Sequence, residues 1–150
     1  MSNKTAKYLI IGGGIIGCSV AYHLAKNGQK DVVLLEKSNL TEGATWHAAG
    51  LVGQLRSSRN TTRMLQKSVA MYDRLSSEIG AEFDWKKVGS LRLASTKERL
   101  LEAKRLKTMA RSFDLEMEII TAAEAKKLFP YIDDSGLEGA AFIPSDGHVD

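Results

Sequence analysis

The stretch Tyr8-Leu9-Ile10-Ile11-Gly12-Gly13-Gly14-Ile15-Ile16-Gly17 decides the fold. Tyr8 to Ile11 is a short apolar run, the pattern of a buried parallel strand. Gly12, Gly14 and Gly17 then complete a G-x-G-x-x-G pattern. In that pattern the first glycine permits a tight turn and the second lets the backbone approach a pyrophosphate. The third lets a helix pack close to the strand. N–H groups near Ile15 and Ile16, at the helix start, face the phosphates with the positive end of the helix dipole.

Further along, Val20, Ala21, Leu24 and Ala25 share one helical face, and Gly28 is a natural stop. Asp31 to Leu35 reads as a second apolar strand and runs into Glu36. Glu36 stands nineteen residues after Gly17, close to the ~20 at which an acid hydrogen-bonds a ribose hydroxyl. An acid there argues against a 2′-phosphate and so against NADP. Strand, glycine loop, helix, strand and acid in this order predict a dinucleotide site. The alternative is a glycine turn in a plain α/β protein.

A second segment follows closely: Gly43-Ala44-Thr45-Trp46-His47-Ala48-Ala49-Gly50. Its small residues let backbone approach a ligand. From the residues alone, His47 has two readings. It is a neutral imidazole able to act as a nucleophile near pH 7, or a polar loop residue touching ligand or solvent.

With these segments the chain resembles the FAD-dependent amine oxidoreductases of the D-amino-acid-oxidase fold, and among them the sarcosine and dimethylglycine dehydrogenases. The resemblance is carried by Ile10 to Gly17, Leu34-Leu35-Glu36-Lys37, Leu40 to Val52 and Asp146-Gly147-His148-Val149-Asp150. Thr45 to Leu51 is its most specific piece. It implies an α/β chain: a Rossmann-like FAD-binding domain of the D-amino-acid-oxidase and glutathione-reductase type, with the start of an interleaved α+β substrate domain. The implied boundaries are 1–80 for the first part of the FAD domain, 81–144 for the start of the substrate domain and 145–150 for the return. Family members are longer, so the chain is expected to be an N-terminal fragment.

The resemblance also implies chemistry. The cofactor is FAD, attached through its 8α-methyl carbon to His47. Gly12, Gly14, Ile15, Ile16 and Gly17 cradle it, and Glu36 and Lys37 meet the adenosine ribose. The run through Gly43, Ala44, Thr45, Trp46, His47, Ala48, Ala49 and Gly50 follows the pyrophosphate and isoalloxazine. A small N-methyl amino acid, sarcosine or dimethylglycine in type, gives up a hydride to flavin N5. The imine is hydrolysed or passes its one-carbon unit to a folate. Electron-transfer flavoprotein or oxygen reoxidises the flavin. Arg56 and Arg59 are either solvated loop charges or, as in related amine oxidases, cations that hold a substrate carboxylate. No catalytic base is named. A second reading is a catalytically silent regulatory protein resembling the regulatory subunit of pyruvate dehydrogenase phosphatase. A free NAD-binding module is a third, and it leaves Gly43 to Gly50 unexplained.

The remaining elements follow from periodicity. Asn60 to Ile79 predicts an amphipathic helix closed by Gly80, with Met64, Leu65, Val69, Tyr72, Leu75 and Ile79 in its core stripe. Phe83 to Ala94 reads as strand, turn and strand. Ser95 to Phe113 reads as a helix with Ser95 and Glu98 in capping-box register. Leu115 to Ile120 reads as a strand. Thr121 and Glu124 form a second capping box, opening a short helix that stops before Pro130. Leu137 to Ile143 reads as a strand. His148 is read as a turn or surface residue, and His23 and Cys18 as packing residues of the first helix.

Composition sets the limits. The 150 residues suffice for a core. Charged residues make up 26% and hydrophobic residues 43%, ordinary for a soluble protein. The net charge of +3 is modest, read as spread over helix faces, and suggests neither nucleic-acid nor membrane partners. No metal site is expected. One cysteine cannot form an intrachain disulfide, which fits a reducing compartment. Met1 to Lys7 is too short and polar for a signal peptide, so a cytoplasmic location is the expectation.

Overall fold

The structure is a computed structural model and describes residues 5–149. Asp150, the end of the expected return segment, and residues 1–4 lie outside the described residues. The chain divides into two compact units, Met1–Ala49 and Gly50–Asp150.

The first unit is a βαβ motif. Strand β1 (Tyr8–Ile11), helix α1 (Ile15–Lys26) and strand β2 (Val32–Leu35) follow in order. The two strands are parallel, with Tyr8 opposite Val32 and Ile11 opposite Leu35. Gly28, at φ 78°, takes the left-handed turn after the helix, which a residue without Cβ makes at no steric cost. Tyr8, Ile10, Val32 and Leu34 are half-buried, while Leu9, Ile11, Val33 and Leu35 on the other face are exposed. Ile11 reaches 83% exposure. The expectation of buried strands is therefore corrected. A continuous apolar run suits a sheet covered on both faces, and in this unit one face is covered.

The second unit holds two antiparallel three-stranded sheets. One has the order β3 (Leu51–Val52), β8 (Gly147–Val149), β4 (Trp85–Lys86). The other has the order β5 (Ser90–Ala94), β7 (Gly139–Ile143), β6 (Glu118–Ile120). Phe83 to Ala94 does contain two strands, but they do not form a hairpin. β4 pairs with β8 and β5 with β7. The reason is the turn at Gly89 (φ 81°), whose N–H donates to the Asp146 carbonyl at 2.8 Å and so sends the chain from one sheet to the other.

Helix α3 (Lys97–Ser112) supplies Ala103 and Ala110 to a core that also contains Leu55, Leu115, Met117, Ala141 and Ile143. Its cap is corrected by one residue. Thr96, not Ser95, accepts the Arg99 N–H. α3 also carries six basic against two acidic side chains, so the positive charge is concentrated there rather than spread evenly. The second capping box is present as expected: Thr121 and Glu124 bond reciprocally at the start of helix α4 (Ala122–Leu128).

Helix α2 (Arg59–Ile79) ends at Gly80 in a left-handed cap. It buries Thr62 and Val69, and Tyr72 packs on the rings of Phe83 and Trp85. Met64 is 60% exposed, a correction to the expected core stripe. Its turn of the helix buries Thr62 instead, whose hydroxyl bonds the Arg56 backbone through both N–H and C=O. His148 lies within β8, between Leu51 and Lys86, rather than in a turn. His23 is exposed and meets Tyr22 edge to face. No helix of the described residues is long and apolar enough to cross a membrane.

Candidate functional site

The first unit gathers most of the expected site residues at the C-terminal ends of β1 and β2. Gly12 adopts φ 104°, a conformation that favours glycine. Its N–H donates to the Leu35 carbonyl at 2.8 Å, which joins the two strand ends. A Cβ on Gly17 would lie 1.9 Å from the Gly12 carbonyl oxygen. The third glycine of the motif is thus required by contact between α1 and the loop.

Gly14 is the N-cap of α1 and offers no side-chain oxygen. The cap comes instead from thirty residues on, where Thr45 Oγ1 accepts the Ile15 N–H at 3.0 Å. A Cβ on Gly14 would stand 3.0 Å from that same hydroxyl oxygen. The hydroxyl and the bare helix end therefore share one small region, with Ile15 and Ile16 exposed beside it.

Glu36 follows β2. Its Oε2 accepts the Gly13 N–H at 2.6 Å and its Oε1 the Ser38 N–H at 3.0 Å. These bonds, that from Gly13 first, hold the carboxyl below the usual glutamate range. Lys37 adds a smaller favourable charge.

The segment from Thr41 onward folds as consecutive turns. The Trp46 N–H donates to the Thr41 carbonyl at 3.0 Å, the His47 N–H to Ala44 at 3.3 Å and the Ala48 N–H to Thr45 at 3.1 Å. His47 Nδ1 lies 3.1 Å from the Gly43 carbonyl oxygen. With the proton on Nδ1 this is a hydrogen bond, and the lone pair of Nε2 is left available. Trp46 is 78% exposed, and His47, Ala48 and Ala49 are exposed as well.

Gly50 belongs to the second unit. Its carbonyl accepts the Val149 N–H at 2.9 Å, and at φ 68° a Cβ would meet the Val149 oxygen at 2.1 Å. Arg56 and Arg59 lie in that unit too. Arg56 Nη1 donates to the Leu55 carbonyl at 2.8 Å, and Arg59 opens α2.

Gly13 was missed by the sequence reading. It is buried, its N–H is taken by Glu36, and its carbonyl accepts from Thr41 N and Cys18 Sγ. The G-x-G-x-x-G template leaves that position free, so the run of three glycines was the available signal. Glu42 was also missed as an individual residue. Its side chain holds the turn at Ser38 and Asn39, and the Ser-Asn-x-x-Glu spacing is the cue.

A dinucleotide fits these residues. The loop has a cradle that Cβ atoms would fill, α1 presents its N-terminus, and an acid stands beside the loop. No group of His, Cys, Asp or Glu among the described residues could hold a metal ion.

The family model for FAD dependent oxidoreductases of the D-amino-acid-oxidase type matches residues 7–150. The chain belongs to this family. FAD, the cofactor by which this family is described, is a dinucleotide. The chain is 43% identical over 145 residues to rat mitochondrial dimethylglycine dehydrogenase, covering 97% of this chain and 17% of the relative. It is 40% identical over 148 residues to human mitochondrial sarcosine dehydrogenase, covering 98% and 16%. It is also 37% identical over 144 residues to the mouse mitochondrial pyruvate dehydrogenase phosphatase regulatory subunit, covering 96% and 16%. Among solved structures, L-proline dehydrogenase from P. horikoshii superposes with a TM-score of 0.91 at 31% identity, covering 98% of this chain and 38% of that one. The chain thus spans about a sixth of the length of these curated relatives.

Proposed function

We propose that the protein is an FAD-dependent amine oxidoreductase acting on a small N-methyl amino acid of the sarcosine or dimethylglycine type. His47 is its covalent flavin anchor. The observation that carries this reading is the glycine cradle and the Thr45-Trp46-His47 turn on one βαβ unit, joined by the Ile15–Thr45 bond. The similarity to dimethylglycine and sarcosine dehydrogenases supports the substrate class.

Bound FAD supplies the two-electron acceptor for C–H oxidation next to nitrogen. The chain's own residues bind and orient. The N-terminus of α1 and the Thr45 hydroxyl take the pyrophosphate. Glu36, with Lys37 beside it, takes the ribose. Its ionised state at neutral pH suits it to accept from ribose hydroxyls. Gly43 to Ala49 carry His47 to the flavin, and the Gly43 carbonyl holds the imidazole by its Nδ1. An electron-transfer flavoprotein or oxygen would serve as the electron acceptor, and water or a folate would take the one-carbon unit.

The test is anaerobic titration of the full-length protein with sarcosine and with dimethylglycine. Bleaching of the flavin absorbance is expected, and no bleaching with either sinks the substrate claim. In that event the likeness to the phosphatase regulatory subunit favours a silent flavoprotein-fold partner. Mass spectrometry after denaturation is expected to find one FAD per chain, lost in His47→Ala.

A further inference from the structure

Glu42 belongs to the turn between β2 and the His47 segment, and its bonds are unusually concentrated. One oxygen, Oε2, accepts from Ser38 Oγ at 2.5 Å, Asn39 N at 2.9 Å and Asn39 Nδ2 at 3.0 Å. The next link is Thr41, which sits at φ 66°. A β-branched residue there is strained and persists only where its surroundings hold it. Thr41 also joins the two halves of the site. Its N–H donates to the Gly13 carbonyl at 3.0 Å, and its carbonyl accepts the Trp46 N–H at 3.0 Å. The neighbouring Leu40 lies over the glycine loop, where a Cβ on Gly13 would meet Leu40 Cδ2 at 2.5 Å.

We propose that Glu42 is a positioning residue for flavin attachment: its carboxylate clamps the Ser38–Glu42 turn, holds Thr41 left-handed, and so fixes the His47 segment against the glycine loop. The inference rests on the reading that His47 carries the flavin. The attachment step forms a bond from an imidazole nitrogen to the 8α carbon. It breaks one methyl C–H bond and the imidazole N–H bond, leaving both protons and two electrons on the flavin. Dioxygen takes these and is reduced to hydrogen peroxide. Glu42 touches none of the reacting atoms and acts through Thr41 and Trp46.

The experiment reconstitutes full-length apoprotein with FAD in air and follows flavin fluorescence that survives acid denaturation. FAD affinity is measured separately in a His47→Ala background, with and without Glu42→Ala. Glu42→Ala is expected to slow attachment about tenfold, which corresponds to ~1.4 kcal/mol of barrier, while FAD affinity changes less than about twofold. Adding Thr41→Gly to Glu42→Ala is expected to recover most of the rate, because glycine needs no clamp at positive φ. Ser38→Ala removes one donor and is expected to slow attachment about threefold; it serves as the test should Glu42→Ala not fold. Attachment by either variant at the wild-type rate overturns the inference. So does loss of FAD affinity equal to the loss of rate, or failure of Thr41→Gly to restore it. A wild-type protein with no surviving flavin overturns the covalent reading and this inference together, whereas attached wild type with an indifferent Glu42 overturns the inference alone.

Discussion

Two glycines of the site make opposite demands. A Cβ on Gly17 meets backbone oxygen at 1.9 Å, and backbone cannot step aside as a flexible side chain can. A Cβ on Gly43 meets nothing within 4 Å. Gly17→Ala is therefore expected to cost about 2–3 kcal/mol and to abolish FAD binding, even though alanine favours a helix by ~1 kcal/mol. Gly43→Ala is expected to stay within about 0.5 kcal/mol of the parent. Urea unfolding and FAD titration of the two variants check both statements, and equal losses would refute the steric account. At this scale the sequence was most legible, because the glycine spacing itself encodes close approach. It was least legible where a backbone bond decides a role. Gly13 carries the bond to Glu36, and Gly50 pairs with Val149, but neither partner has a sequence signature.

Helices and strands were readable wherever periodicity spoke alone: α2 and α4 begin and end within one or two residues of expectation. Pairing was not readable, since strand partners depend on turns and on distant residues. The cap of α3 shows the limit within a single element. Ser95 and Thr96 are both good cap residues in adjacent registers, and the backbone chose Thr96. Thr96→Ala is expected to cost about 1 kcal/mol, and Ser95→Ala almost nothing; thermal unfolding of the pair decides between the registers.

A second element-scale prediction concerns the joint of α2 with β4. Asp73 Oδ1 accepts the Trp85 Nε1–H at 2.8 Å, and Lys87 Nζ lies 3.0 Å from Oδ2. These contacts, the Trp85 bond first, lower the Asp73 pKa below its usual 3.8. A carboxyl depressed in the folded state stabilises the fold above its unfolded pKa, and that contribution is lost as pH falls through the lower folded value. Because the pair is substantially exposed, Asp73→Asn is expected to cost under about 1 kcal/mol at pH 7. The difference from the parent should shrink below pH 4, as followed by Trp fluorescence during urea unfolding; a difference that grows on acidification would contradict it.

Over the whole molecule, long-range bonds decide how the segments of the second unit meet, and these are invisible to any local pattern. Asp146 shows the principle. It stands just before β8, and the sequence marks it only as part of a family-like run. Nothing in that run hints that Asp146 is only 2% exposed. There its Oδ1 accepts from Gln54 N at 3.0 Å and Gln54 Nε2 at 2.9 Å, and its Oδ2 from Ser90 Oγ at 2.6 Å. Gln54 follows β3 and Ser90 opens β5, so one carboxyl group ties the strands of both sheets. Asp146→Ala would leave the buried Gln54 N–H and the half-buried Ser90 hydroxyl without this acceptor, each at ~1–3 kcal/mol, while Gln54 Nε2 keeps Ser145 Oγ at 2.8 Å. We expect a total loss of about 3 kcal/mol or more, against about 1 kcal/mol for Ser90→Ala, which leaves the two Gln54 bonds intact. Because the two residues share a bond, the double variant should lose less than the sum of the single losses. Urea unfolding of the three variants measures this. A loss under 1 kcal/mol for Asp146→Ala, or strict additivity with Ser90→Ala, would mean that the sheets are held by apolar packing around Ile143 and Leu55 rather than by this carboxyl group.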